Sequence, residues 1–473
     1  MTALLRPVAD DARDTTEIGR FLGWVERERG LRFDSYDELH RWSVEDLEGF
    51  WSAVAAFYAV RFTTPPERVL GRREMPGAEW FPGATLNYAE HAVGRPEDAE
   101  DVAVVAYSQT RDRVEFTWGQ LRDQGARAGA GLARLGVGGG DRVVAYLPNI
   151  PEALVAFLAT ASLGAVWASC APEFGARSVV DRFGQIEPTV LLTVAGYGYG
   201  SKDVDRRTQV AEIRAGLPTV RRVVQVSYGA NTLPDALGWD ELLAEPGELA
   251  FAPVPFAHPL CVLFSSGTTG KPKAIVHSHG GILLEHLKNH GLSWDLRPGD
   301  RILWFSTTAW MMWNALVSGL LMRASIVMID GNPLHPDLRW QWRLAEETGA
   351  TLMGASPGFL MACRQEGVRP AAEFDLSRVR QIGAAGSPLP PEGYRWVAEQ
   401  FGPDVLLNVG SGGTDVCSGI VQGSPLQPVW VGEIAGPCLG VDAQAFDEKG
   451  EQVVGDLGEL VITAPMPSMP VGF

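Results

Sequence analysis

The run Ser265, Ser266, Gly267, Thr268, Thr269, Gly270, Lys271, Pro272, Lys273 gathers hydroxyls, glycines and two lysines into one short stretch. It follows an apolar segment, Pro259 to Phe264, that reads as a strand. Glycines let backbone N–H groups converge on one point, while hydroxyl and ammonium groups add donors and charge. That combination grips phosphate oxygens. The spacing is not that of a Walker loop, because Ser265 stands where its first glycine belongs and Pro272 follows the lysine. On composition alone a flexible Ser/Gly turn is the competing reading.

A second cluster, Asn408, Val409, Gly410, Ser411, Gly412, Gly413, Thr414, Asp415, joins an expected strand end to a glycine-rich loop. Strand ends of an open α/β sheet are where ligands bind. An aspartate carboxylate is a hard oxygen donor suited to Mg²⁺. The alternative is an ordinary turn. Weaker signals are the small-residue turn GAAGSPL (Gly383 to Leu389) and STTAWMMWN (Ser306 to Asn314), whose Trp310 is one of 15 tryptophans and competes with a core role. His277 and His279 form an H-x-H without a third ligand nearby. The lysines before them repel a cation, so they read as structural.

The elements that must hold these loops follow from pattern. At 473 residues the chain exceeds a single core, and 46% hydrophobic with 21% charged residues places it among globular proteins. Residues 1–100 read as a helical, aromatic-rich extension, with Trp24, Trp42, Trp51 and Phe57 at packing positions and a helix start at Ser43. Residues 101–428 alternate strand and helix, which predicts an α/β fold with two similar, doubly wound, mostly parallel sheets. Residues 429–473 turn to β texture and predict hairpins of a small β-barrel-like subdomain. Ser227 to Pro234 reads as the exposed connection.

Forty Lys plus Arg against 57 Asp plus Glu give a net charge of −17, which repels nucleic acid and anionic membrane surfaces. Two nearly uncharged stretches, Ala153 to Ala176 and Trp304 to Met322, read as buried helices beside strands rather than membrane spans. Five scattered cysteines without a C-x-x-C pair, and an N-terminus without an apolar leader, point to the cytoplasm.

SSGTTGKPK followed by a short strand and His277 resembles the phosphate loop of the adenylate-forming enzymes, the superfamily of acyl-CoA synthetases, luciferases and peptide-synthetase adenylation domains. WFPGATLNYAEH (Trp80 to His91) resembles the element that precedes the main fold in the acetyl-CoA synthetase branch. The resemblance implies ATP, Mg²⁺ and coenzyme A as co-reactants of a small carboxylic acid. A carboxylate attacks the α-phosphorus, pyrophosphate leaves, and a thiol then displaces AMP. Residue by residue it implies nucleotide contacts at Ser265, Ser266, Gly267, Thr268, Thr269, Gly270, Lys271 and Lys273. Further nucleotide contacts are implied at Gly386, Ser387, Pro388, Asn408, Val409, Gly410, Ser411 and Thr414. Catalytic roles fall to Lys271, Trp310, Thr414 and Asp415, with Asp415 on the metal. Lys202, Arg206 and Arg207 read as a solvated face or a coenzyme A phosphate contact.

Acetyl-specific relatives carry two tryptophans before the Thr–acid pair, where this chain has Ser411 and Gly412. An indole replaced by hydrogen implies a longer acid pocket, lined by Trp310, Met311, Met312, Ala385 and Gly412. The combination is most similar to the acetoacetyl-CoA synthetases and implies acetoacetate. Another short or medium acid, and a non-catalytic nucleotide-binding module, remain the alternatives. The family's T-G-D is absent, Gly455-Asp456 belonging to a different element. The chain stops within the β texture, so a C-terminal lid domain is expected to be missing.

Overall fold

A computed structural model describes residues 3–265 and 270–473. Two seven-stranded sheets form its centre. In the first the order is Leu237–Gly238, Arg222–Gln225, Val190–Thr193, Arg142–Tyr146, Val166–Cys170, Pro259–Phe264, Ala274–Ser278. In the second it is Leu406–Val409, Gln381–Ala384, Leu352–Ala355, Arg301–Trp304, Ser325–Ile329, Val102–Tyr107, Val114–Thr117. Each is parallel except for one edge strand, Ala274–Ser278 in the first and Val114–Thr117 in the second. The α/β expectation with mostly parallel sheets is met. The two sheets, however, do not follow one another in sequence. Val102–Tyr107 precedes every strand of the first sheet and pairs with Ser325–Ile329 of the second, Val104 opposite Ile326.

Local chemistry starts the helices where the pattern predicted. Trp118–Arg134 opens with a reciprocal cap: Gln120 N donates to Thr117 Oγ1 (3.2 Å), and Thr117 N donates to Gln120 Oε1 (2.9 Å). Pro151–Ser162 is buried along its whole length. Its hydroxyls turn back on their own helix, Thr160 to the Ala156 carbonyl at 2.7 Å, while its Glu152 carboxylate is met from outside by Arg111 at 2.6 and 2.7 Å. Among the described residues no helix is long and apolar enough to cross a membrane.

Several expectations are corrected. Ser43 does not start a helix. Ser35 caps Tyr36–Glu45, and Asp46 caps Leu47–Phe57 by accepting from Gly49 N at 2.9 Å. Ser43 Oγ instead accepts from Gly440 N at 2.8 Å, joining the N-terminal helices to the far end of the chain. The connection after Ser227 is not wholly exposed, because Tyr228 is buried and donates its hydroxyl to Asp330. Among the described residues, Ala443–Phe446, Gln452–Val453 and Glu459–Ile462 form a three-stranded antiparallel sheet rather than a closed barrel.

One helix ties these parts together. His279–Lys288 is buried throughout and runs directly into a π-helical turn, Asn289–Ser293. Glu285 and Lys288 form an ion pair at 2.7 Å with both side chains fully buried, and Lys288 Nζ lies 5.9 Å from the centre of the Trp51 ring. Among the described residues neither charged group gains a further hydrogen bond. Replacing Lys288 by Met strands a carboxylate in an apolar interior and is expected to cost about 3–5 kcal/mol. Urea unfolding of the Lys288→Met, Glu285→Leu and double variants checks this. The double variant should lose less than the sum, and simple additivity would contradict the pairing.

The same region sets a pH dependence. Desolvation pushes His279 and His286 down to about 3 and His290 to about 4, from 6.5. It lowers His91 to about 4 and depresses His277 as well. The folded chain holds these rings neutral, whereas the unfolded chain protonates them below about 6.5. Their contribution is therefore complete above that pH and is lost as pH falls toward their folded values. Each costs about 1.4 kcal/mol per pH unit in that window. Asp330, raised to about 7 by burial, works in the opposite sense and offsets one of them. The urea midpoint should thus fall steadily from pH 6.5 to 5.5, and a flat midpoint across that interval would contradict the assignment.

Candidate active site

A cavity of about 200 Å³ opens at the C-terminal ends of Arg301–Trp304, Gln381–Ala384 and Leu406–Val409. The hairpin Ser411–Gly413/Ser418–Val421 and the helix Met311–Val317 wall it in. Its aromatic side exists because two strand residues lack side chains. The Trp304 indole lies across Gly354 and Gly383, where an added Cβ would come within 1.8 and 2.6 Å of the ring. Trp294 stacks on Trp304 with centroids 5.3 Å apart.

Two neutral imidazoles hold the loop that carries Thr414 and Asp415. His277 Nε2 donates to the Thr414 carbonyl at 2.8 Å, and its Nδ1 lies 3.2 Å from the Ser468 carbonyl. His286 Nε2 donates to the Cys417 carbonyl at 2.8 Å. That fixes the tautomer, so His286 Nδ1 accepts from Ser318 Oγ at 2.6 Å, and Ser318 in turn accepts from the Tyr88 hydroxyl at 2.6 Å. Cys417 adopts φ +50°, a left-handed conformation that a side chain rarely takes. The strain is held by the surrounding bonds.

Ten of the expected residues meet here. Trp310, Met311, Met312, Ala385, Gly386, Asn408, Gly410, Ser411, Gly412 and Thr414 all border the one cavity. Trp310 is 61% exposed at its mouth, so the core alternative fails for it; the buried tryptophan of that motif is Trp313, which donates to Asn149 Oδ1 at 3.0 Å. Asn408 spends its side chain on the backbone, donating to Ser293 O and Gly423 O at 3.1 Å and accepting from Gly423 N at 2.9 Å. Gly412 answers to the hairpin as well as to the pocket. A Cβ there would sit 2.1 Å from the Ser418 carbonyl oxygen.

Others stand apart from the cavity. Val409 points to the opposite face of its strand and packs in the core. Ser387 and Pro388 are exposed beyond Gly386. Asp415 is exposed beside Thr414, and its carboxylate makes no ion pair among the described residues. Such a free, hydrated carboxylate suits a metal shared with phosphate oxygens, although no ready-made cluster of metal-ligating side chains occurs among the described residues. Ser266, Gly267, Thr268 and Thr269 lie outside the described residues. Their flanks close the hairpin, Ser265 N donating to the Lys273 carbonyl at 3.1 Å. Gly270, Lys271 and Lys273 are exposed. Lys271 lies 3.8 Å from Asp181 while 75% exposed, a contact weak enough to exchange for a phosphate. In the basic group at 202–207, Arg207 pairs with Asp205 at 2.6 Å, Arg206 covers the Tyr197 ring, and Lys202 is exposed.

Sequence reasoning missed Trp294, Trp304, Asn289, Ser418 and Gln422, which also line the cavity. Gly354 and Gly383 inside strands were the available signal, since a strand glycine marks a close approach.

The AMP-binding enzyme family matches residues 89–469, and the acetyl-coenzyme A synthetase N-terminus matches residues 36–92. An acetoacetyl-coenzyme A synthetase of Rhizobium meliloti (strain 1021) is 40% identical over 99% of this chain and 73% of its own length. A malonamoyl-CoA synthetase of Penicillium aethiopicum is 34% identical over 95% of this chain and 67% of its own. The solved acetoacetyl-CoA synthetase from Streptomyces lividans superposes with a TM-score of 0.95 at 51% identity, over 99% of this chain and 73% of that one. The expected absence of a C-terminal lid domain is not supported by these matches. The chain belongs to the AMP-binding enzyme family, within its acyl-CoA synthetases.

Proposed function

We propose that the chain is an acid–thiol ligase that activates acetoacetate as an acyl-adenylate and passes the acyl group to coenzyme A. The observation that carries the reading is the cavity itself, which has indole walls, a polar closed end, and a mouth beside Thr414 and Asp415. Acids of both kinds named among the relatives, acetoacetyl and malonamoyl, carry a carbonyl on the third carbon.

In this reading the acid enters past Trp310 with its carboxylate toward the mouth and its chain between Met311, Met312 and the indoles. The hydroxyl of Thr414 donates to the α-phosphate oxygen as negative charge builds there. The loop at 265–273 binds the outer phosphates, Lys271 leaving Asp181 to do so. Asp415 would hold Mg²⁺, which supplies charge neutralisation at the phosphates. The carboxylate oxygen forms its bond to phosphorus as the bond to pyrophosphate breaks. The coenzyme A thiolate then takes the acyl carbon, and AMP leaves. Holding the reacting groups in line and offering preset donors accounts for the rate. A synthetase for another short acid differs only in the closed end of the cavity. A binding module would hold nucleotide without turnover.

Pyrophosphate release with ATP, Mg²⁺, coenzyme A and a panel of acetoacetate, acetate and butyrate tests this. Acetoacetate should lead. Butyrate in front would keep the reaction and replace the acid, and nucleotide binding without pyrophosphate from any acid would favour the module. Asp415→Asn should lower the rate by about 10²-fold and raise the Mg²⁺ needed for half-maximal rate. Gly412→Ala should chiefly lower the thermal midpoint, because its methyl meets the Ser418 carbonyl. An unchanged midpoint with a shifted acid preference would instead make Gly412 purely a pocket residue.

A further inference from the structure

The closed end of the cavity holds a pair of primary amides that nothing above employs. Gln422 Nε2 donates to Asn289 Oδ1, and the two side chains are 5% and 3% exposed. Gln422 fits there because two neighbours lack side chains: a Cβ on Gly419 or Gly410 would lie 3.0 Å from Gln422 atoms. Asn289 reaches the cavity because the π-helical turn Asn289–Ser293 begins with it.

The bond between the amides uses one donor and one acceptor. Among the described residues Asn289 Nδ2 has no hydrogen-bond partner. Turning both amides over exchanges their roles and still leaves one NH₂ group without a partner. Ser418 Oγ, buried in the same wall, also lacks one. The other polar side chains deep in the cavity are committed, His286 at both nitrogens and Asn408 to the backbone. What remains at the closed end is two donors, Asn289 Nδ2 and the Ser418 hydroxyl, beside one acceptor, Gln422 Oε1. A ketone oxygen only accepts.

Resting on the function proposed above, we propose that the Asn289–Gln422 amide pair, with Ser418 beside it, recognises the carbonyl oxygen on the third carbon of the acid. Selection against butyrate then comes from leaving buried N–H and O–H groups unmet. A methylene in place of the carbonyl fills the same space but satisfies none of them, and buried polar groups built for a partner reject the analogue that lacks it.

The test uses two stable mimics of the acyl-adenylate, the 3-oxobutyl and butyl esters of AMP, with calorimetric dissociation constants. The wild-type chain should bind the 3-oxobutyl ester about tenfold or more tightly than the butyl ester. Gln422→Met and Asn289→Leu should bring the two within about threefold of each other. Equal binding of both esters by the wild-type chain overturns the inference while leaving acyl activation intact. Discrimination that persists in both variants overturns it too. Binding of neither ester overturns the functional reading beneath it. The wild-type comparison needs no variant, so the inference stays exposed even if a substituted chain does not fold.

Discussion

Two imidazole N–H groups, from His277 and His286, hold the carbonyls of Thr414 and Cys417 and so fix the short loop between them. The loop could not keep this shape alone, since Cys417 sits in a left-handed conformation. The placement of Thr414 and Asp415 beside the cavity is referred to these two bonds. His277 stands on the edge strand that returns from the 265–273 loop, and His286 on the central buried helix. The same histidines thereby tie that edge strand and that helix to the Thr–Asp pair beside the cavity. They can donate in this way as neutral rings because burial has removed the water that would stabilise their charged forms.

The interior around that helix is unusually polar for a core. A relay from Tyr88 through Ser318 to His286, the buried Glu285–Lys288 pair and the Asn289–Gln422 amides all lie on or beside one continuous segment. Apolar packing tolerates small shifts, whereas such directional bonds admit one arrangement only. The cost in stability is accepted next to a cavity whose walls must be placed to within fractions of an ångström. The N-terminal helices take part as well, because Trp51 covers Lys288 and Ser43 receives Gly440 N. They read in the sequence as an extension, yet they form one wall of the polar interior.

Motifs that are continuous in sequence were legible. Thr414 at the cavity and most strand segments of both sheets follow from residue type and local pattern, whereas the strand Val166–Cys170 lies in a stretch that read as helix. Period-two alternation explains why Asn408 borders the cavity while Val409 does not, and that distinction was available from the sequence too. The rest depends on contacts between distant segments. Nothing local shows that Trp304 will lie over Gly354 and Gly383, or that a helix will loosen into a π turn and aim Asn289 at Gln422. Ser43 looked like a helix start because acids follow it, but the chain gave that role to Asp46. Its own hydroxyl answered to a residue near the other end of the chain.

The placement of Val102–Tyr107 bears on how the chain is made. This apolar strand belongs beside Ser325–Ile329, and every strand of the first sheet is synthesised between the two. At ribosomal rates the wait is roughly ten to forty seconds. During it the antiparallel neighbour Val114–Thr117 can cover one edge, while the other edge, Val-Ala-Val-Val-Ala-Tyr, has no mate. An unpaired apolar edge of that kind pairs readily with other chains. The first sheet can form while the second is still incomplete. The order of the chain thus imposes on one early strand a long exposure to wrong partners that the stability of the finished fold does nothing to shorten.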